Sequence, residues 1–252
     1  MRVSIFASAD DAAARTAAII AGEIASLAAP AAIAFPTGRT PVAVYDRLAS
    51  RVAEGGLSFG RVLPFMLDEY AGLPPDHPAS FNTFLRRHLF DRVGIAPGAE
   101  GLIRGDAADP EAEALRYEAE IARAGGFALC FLGIGDNGHI AFNEPGSSLG
   151  SRSRLRRLTR ATMAANAGEQ DGADAVPDHA VTVGIGTILE SRTIVLLATG
   201  GAKADAVARM IEGPVTAMCP ASALQLHPRV RVVLDQAAAA RLGRSEDYAD
   251  RD

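Results

Sequence analysis

The sequence predicts an α/β fold: an open, mostly parallel sheet forming the middle of three layers, with helices on both faces. Three observations predict it. Short apolar runs alternate with segments of helical periodicity from one end of the chain to the other. Those runs are apolar throughout rather than alternating with polar residues, as in strands buried on both faces. No linker-like break in composition and no internal repeat interrupts the 252 residues, which read as a single domain over 1–252.

The elements follow in order. "RVSIFA" reads as a strand, and "DDAAARTAAIIAGEIASLA" as a helix with Asp10 or Asp11 as its cap. "AAIAF" is a second strand, leading through "PTGRT" into the helix "PVAVYDRLASRVA", where Pro41 suits a first turn. "RVLPFML" is a third strand, and Pro64 argues against a central position for it. "ASFNTFLRRHLFDRV" and "PEAEALRYEAEIARAG" are helical. "FALCFLGIG" and "RTIVLLATG" are buried strands. "AKADAVARMIEG" is a helix that stops at Gly213. "RVRVVLD" is the last strand, followed by a terminal helix "QAAAARLG". Residues 166–178 are rich in Gly, Asp and Ala and read as part of a mobile lid around 160–178.

Bulk properties exclude several functions. A net charge of -5 argues against nucleic acid as a partner, because that needs a basic face. No apolar stretch approaches the ~20 residues of a membrane span, and the N-terminus turns polar too early for a signal peptide. The default is a soluble, cytoplasmic protein without a membrane partner. Cys130 and Cys219 form neither a disulfide framework nor a metal pattern, and His77, His88, His139, His179 and His227 are scattered without ligand spacing. No metal site and no cofactor is called for; dinucleotide and Walker A patterns are both missing from the sequence.

In open α/β sheets, ligands bind at the carboxyl ends of the strands, and four segments fall there. The first is "FPTGRTP", in which Gly38 lets the backbone approach a ligand. The amides there, with Thr37, Thr40 and the following helix N-terminus, make an anion site. An ordinary strand–helix turn is the plain alternative. The second is "MLDEYAGLPPDHPASF". Neighbouring residues of an extended chain point to opposite sides, so one of Asp68 and Glu69 faces a cleft as a proton-transfer base while the other ties the loop. A solvated loop acid or helix cap is the alternative. The third is "GIGDNGHIAFNE". His139 is the one side chain here whose unperturbed pKa lies near neutrality, and Asn137 and Glu144 are close enough in sequence to position it. The fourth is "TGGAKADAV". Lys203 is the only lysine in a chain that otherwise uses arginine, and it suits a compact charge held for a phosphate. Together the segments suggest a small-molecule phosphate site with a carboxylate base and a histidine.

"FPTGRTP", "LDEYAGLPPDHPASF", "GIGDNGHIAFNEPGSSLGSRSR", "HAVTVGIGTIL", "GAKADAV" and "SALQLHP" cover most of the chain, and together they resemble the glucosamine-6-phosphate deaminase family in order and spacing. The resemblance implies a Rossmann-like three-layer fold. It implies an amino-sugar phosphate as substrate, and conversion of D-glucosamine 6-phosphate and water to D-fructose 6-phosphate and ammonia without a metal or cofactor. In that scheme His139 moves a proton from the O1 hydroxyl to the ring oxygen, with Glu144 and Asn137 orienting it. Asp68 carries the C2 proton to C1. Thr37, Gly38, Arg39, Thr40 and Lys203 hold the 6-phosphate. Ser147, Arg154 and Arg156 fall where allosteric members of the family bind an effector, and the family includes both monomers and homo-oligomers.

Two positions depart from the family pattern. Residue 137 is Asn where the best-studied deaminases have Asp, as if Asp136 and Asn137 were transposed. Gly168 stands where the lid carries a phosphate-binding arginine, leaving Arg160 or Arg39 to substitute or the substrate to be another amino-sugar phosphate. The alternatives are a 6-phosphogluconolactonase-like hydrolase on the same fold, whose histidine segment typically continues differently from "IAFNEPG", and a non-catalytic sugar-phosphate sensor. A sensor does not need Asp68, His139 and Glu144 together.

Overall fold

The computed structural model describes residues 1–159, 162–163 and 177–248. The strands are β1 (Arg2–Phe6), β2 (Ala31–Phe35), β3 (Val62–Met66), β4 (Asp68–Tyr70), β5 (Phe127–Leu132), β6 (Arg154–Arg157), β7 (His179–Thr182), β8 (Thr193–Ala198) and β9 (Val230–Asp235). Six of them form one sheet in the order β1-β9-β8-β5-β2-β3, and every pairing in it is parallel. Every residue of β5 and β8 is buried, which is why both read as unbroken apolar runs. From β2 the chain adds β3 on one side and β5 on the other, so the order reverses between β2 and β5. That is where a ligand crevice forms in such sheets.

Pro64 lies in β3, the edge strand, where its missing N–H is tolerated. The Tyr117 hydroxyl secures the end of this strand. It donates to the Met66 carbonyl at 2.8 Å and accepts the Met66 N–H at 2.9 Å, two residues before Asp68.

Helices cover the sheet. Helix α1 (Ala9–Ala25) packs on β8 and β9 and against α2 (Val42–Ala53). Its cap is Ser8, not Asp10 or Asp11. The Ser8 Oγ accepts the Asp11 N–H while donating to the Asp11 carboxylate, so cap and acid at the third helical position bond each other. Pro41 sits at the N-cap of α2. The helical stretch 81–93 is α3 (Phe81–Leu85), a π-helical turn over Arg86–Phe90 and a last turn ending at left-handed Gly94. The helix Pro110–Arg123 begins at an Asp109 cap, whose carboxylate accepts the Glu111 and Ala112 N–H groups at 3.0 Å.

Two features differ from the sequence reading. "QAAAARLG" forms consecutive turns, not a helix. The Asp235 carboxylate accepts the Ala238 N–H at 2.7 Å, and the following backbone bonds mix three- and four-residue spacings. A second sheet, β4-β7-β6, is antiparallel and has no counterpart in the apolar runs. Its strands are short, and one of them is "RLRR".

Under the β2–β5 junction, Phe35, Tyr45 and Phe131 meet edge to face, with centroids 6.3 and 6.2 Å apart. Such contacts contribute about 0.5–1.5 kcal/mol each beyond burial. The Tyr45 hydroxyl continues upward to donate to the Pro36 carbonyl, fixing the base of the 36–40 loop. No helix among the described residues is long and apolar enough to cross a membrane.

Candidate active site

Asp68 opens β4 directly beyond the edge strand and pairs in register with Thr182 of β7. It is 7% exposed. Burial, reinforced by the charge of Glu69, pushes its carboxyl up to about 8, and the Phe142 N–H opposes that rise. Glu69 points the other way. Its Oε1 accepts from the N–H groups of Tyr70 and Phe81, and its Oε2 from the Ser80 hydroxyl and the Asn82 N–H, at 2.7 to 3.0 Å. It therefore closes the loop 70–80 onto the start of α3, and Asp68 is left facing the 140–144 segment through Phe142.

Beyond β5 the chain turns sharply. The Gly138 N–H donates to the Gly135 carbonyl and the Gly135 N–H to the His139 carbonyl, both at 2.9 Å. Gly135 is required because a Cβ there would lie 2.1 Å from Cε1 of the His139 ring. Gly138 has φ +91°, and a Cβ there would meet the Cys219 sulfur at 2.7 Å. Ala141, at φ 47°, holds a left-handed conformation that costs a non-glycine residue about 1 kcal/mol or more. The strain sits between His139 and Glu144.

Asn137 connects those two residues. Its Nδ2 donates to Glu144 Oε2 at 2.7 Å, which leaves Oδ1 to meet the His139 N–H at 3.0 Å and His139 Nδ1 at 2.8 Å. An amide oxygen only accepts, so Nδ1 carries the proton and Nε2 of the neutral ring is left with its lone pair. Glu144, 2% exposed, also accepts from the hydroxyls of Thr162 and, at 3.3 Å, Thr159. Burial, with Lys203 adding to it, lowers the His139 pKa; Glu144 and Asp136 oppose that shift. The ring is thus a neutral base near pH 7.

Lys203 follows β8, on the other side of β5 from β2. The Asp235 carboxylate fixes the preceding turn by accepting the Gly200 N–H at 3.0 Å through both oxygens. The ammonium pairs with Asp136 at 2.5 Å. The 36–40 loop lies at the carboxyl end of β2, with Gly38 at φ +100°. The described residues contain no cluster of three or more potential metal ligands.

A family model described as glucosamine-6-phosphate isomerases/6-phosphogluconolactonase matches residues 7–233. The chain belongs to this family. The glucosamine-6-phosphate deaminase of Arthrobacter sp. (strain FB24) is 50% identical over 218 residues, covering 86% of this chain and 84% of the relative. That of Beutenbergia cavernae is 47% identical over 249 residues, covering 98% and 95%. Among solved structures, a monomeric glucosamine-6-phosphate deaminase superposes with a TM-score of 0.92 at 38% identity, covering 96% of this chain and all of that one (100%). A 6-phosphogluconolactonase from Trypanosoma cruzi has a TM-score of 0.73 at 21% identity, covering 96% and 97%, which is a likeness of fold.

Within the glucosamine-6-phosphate isomerase/6-phosphogluconolactonase fold, Asn137, His139 and Glu144 form one hydrogen-bonded unit. Asp68 adjoins it through Phe142. Thr37, Gly38, Arg39 and Thr40 lie at the neighbouring strand end, and Arg154 and Arg156 lie on β6. Ser147 follows the 137–144 segment, its N–H donating to the Glu144 carbonyl at 3.0 Å. The stretch 160–178 expected to form a lid, including Arg160 and Gly168, lies outside the described residues apart from Thr162, Met163 and its last two positions. Sequence reasoning missed Thr159, Thr162 and Asp136. The two threonines act across long sequence separations, and nothing local marks them. The acid before Asn137 pairs with the sole lysine, Lys203, 67 residues further on, and only the fold shows it.

Proposed function

We propose that this chain is an amino-sugar-phosphate deaminase/isomerase of the cytoplasm, converting D-glucosamine 6-phosphate and water to D-fructose 6-phosphate and ammonia. The observation that carries this reading is the neutral His139 ring, held by Asn137 with Nδ1 protonated and Nε2 available. Such a nitrogen can take the O1 hydroxyl proton and return it to the ring oxygen, opening the pyranose. The relatives near 50% identity support the same chemistry.

In the open chain, Asp68 removes the C2 proton to give an enolamine and delivers it to C1; the amine gives up one proton as the aldehyde oxygen gains one, so C1 becomes a CH2OH group and C2 an imine. Water adds at C2, and ammonia leaves as the 2-ketone forms. The amine of the substrate helps here. A positive charge beside Asp68 favours the carboxylate against the burial that raises it to about 8. Thr37, Gly38, Arg39, Thr40 and Lys203 receive the 6-phosphate; a dianion suits both a fixed ammonium and backbone amides at a helix start.

Ser147, Arg154 and Arg156 form an effector site in this reading. Each has a buried polar atom without a hydrogen-bond partner: Ser147 Oγ, Arg154 Nη2 and Arg156 Nε. Burial and the neighbouring Arg156 also bring the Arg154 pKa down to about 10, an environment an anion would relieve. Kinetics indifferent to phosphorylated amino sugars outside the active site would remove this assignment.

The test is a coupled assay that follows ammonia and D-fructose 6-phosphate from D-glucosamine 6-phosphate, with Asp68→Asn alongside. Equal release of both products, reduced at least ~100-fold in the variant, is expected. Turnover of 6-phosphogluconolactone without ammonia release from the amino sugar would overturn the reading.

A further inference from the structure

One short turn carries two polar side chains with separate partners. Asp136 and Asn137 are its central residues, between Gly135 and Gly138. Asn137 turns inward to His139 and Glu144. Asp136 turns outward and grips Lys203, the only lysine in the chain. The side chains are unequal in exposure: 66% for Asp136 and 25% for Lys203. Lys203 is the more enclosed partner, and the carboxylate is the one with room to leave.

We propose that Asp136 is a specificity-determining residue, an internal carboxylate that occupies Lys203 and that the phosphate of the substrate must displace. The inference rests on the phosphate role given to Lys203 above. A carboxylate carries one negative charge, whereas a phosphate monoester carries nearly two at neutral pH and offers three acceptor oxygens. The dianion wins the ammonium, and the displaced Asp136 is exposed enough to turn into solvent. Singly charged anions gain nothing over the carboxylate already present. The pair thus sets a threshold for entry that a 6-phosphate meets and weaker anions do not.

The same exchange reaches His139. The charged groups around its ring are Glu144 on its own loop, Asp136 and Lys203, with Arg209 and Cys219 packed beside Gly138. In the free enzyme Asp136 offsets the field of Lys203 on the imidazole. Removing Asp136 leaves Glu144 alone to oppose that field until a phosphate arrives. A change confined to the free enzyme appears in kcat/KM and not in kcat.

The deciding variant is Asp136→Asn, since Asn suits the same turn. The expected result is a KM for D-glucosamine 6-phosphate and a competitive Ki for inorganic phosphate that both fall about fivefold, the scale of one partly exposed ion pair. The acidic limb of kcat/KM moves to lower pH, and that of kcat stays. Lys203→Met tests the underlying phosphate role separately and should raise KM at least ~10-fold. Adding Asp136→Asn to it should then bring no further gain. Asp205→Asn is the control for net charge: this acid is two residues from Lys203 but pairs with Arg241 at 3.6 Å, so KM should hold. If Lys203→Met weakens binding while Asp136→Asn leaves KM and the phosphate Ki unchanged, the displacement idea is wrong and the phosphate site stands. An unchanged KM in Lys203→Met removes both. An equal gain from Asp205→Asn reduces the effect to net charge and overturns the proposal.

Discussion

With Nδ2 at 2.7 Å from Glu144 and Oδ1 at 2.8 Å from His139 Nδ1, Asn137 is oriented by a carboxylate that can only accept. Its orientation then sets the histidine tautomer without a charge at position 137. Asn137→Asp replaces the donor with an oxygen facing Glu144 and adds negative charge beside the imidazole. The added charge favours the imidazolium, so the His139 pKa rises and the acidic limb of kcat/KM moves to higher pH, by about half a unit to one unit. Activity at pH 8 should survive and activity at pH 6 should drop. A profile from pH 5 to 9 checks this, and an unmoved acidic limb would mean that Asn137 does not tune the base. Gly135 makes a steric counterpart. Gly135→Ala places a methyl 2.1 Å from the ring, which must swing away. The side chain of His139 is 25% exposed and has room to move outward, so kcat should fall about 100-fold with little loss of thermal stability. A wild-type kcat in Gly135→Ala would show that the ring does not work from this position.

At the level of elements, the site depends on how β4 leaves the edge of the main sheet. Tyr117 pins Met66, Asp68 begins β4, and Glu69 draws the start of α3 back over the strand through three hydrogen bonds, with a fourth to its neighbour Tyr70. Glu69→Gln keeps the shape but loses charge and part of that acceptor set. The expected cost is about 2 kcal/mol, a Tm lower by about 4–8 °C in a chain of this size. Glu69 also raises the Asp68 pKa by its charge, so the limb of the rate profile that reports Asp68 should move to lower pH in the same variant. Denaturation and pH–rate curves read the two effects separately; loss of stability with an unmoved limb would make Glu69 a loop tie alone. These elements also mark what the sequence could say. The parallel strands were legible because burial on both faces writes a run such as "FALCFL", and Asp68 and His139 were legible because they interrupt such runs at their ends. The small antiparallel sheet was not. β4 is three residues, and β6 consists of arginines and one leucine, so pairing with β7 makes them strands and composition does not. The Thr159 and Thr162 contacts to Glu144 and the Lys203–Asp136 pair were hidden for the same reason: they arise when distant loops converge above the sheet.

For the whole molecule, the site is a stability cost that depends on pH in two opposite senses. Asp68 ionises near 3.8 in an unfolded chain and at about 8 in the folded one. Between those values the folded state binds the extra proton, so this group makes stability fall as pH rises through the window. His139 is shifted the other way. Its folded pKa lies below the ordinary 6.5, the unfolded chain takes up the proton first, and stability falls as pH drops below 6.5. Both costs follow from keeping a carboxyl and an imidazole out of water, poised for proton transfer. Asp68→Asn removes the first cost and leaves the second. Its Tm should match that of the unaltered protein near pH 4.5 and exceed it by about 5 °C or more at pH 8, since about 2–4 °C corresponds to each kcal/mol at this size. The excess should level off above pH 8, where Asp68 is ionised in both states. Thermal denaturation of the two proteins in matched buffers from pH 4.5 to 9 measures the difference directly. A constant offset across that range would mean that Asp68 keeps an ordinary pKa in the fold, and the argument that burial holds it protonated until an amine arrives would fail with it.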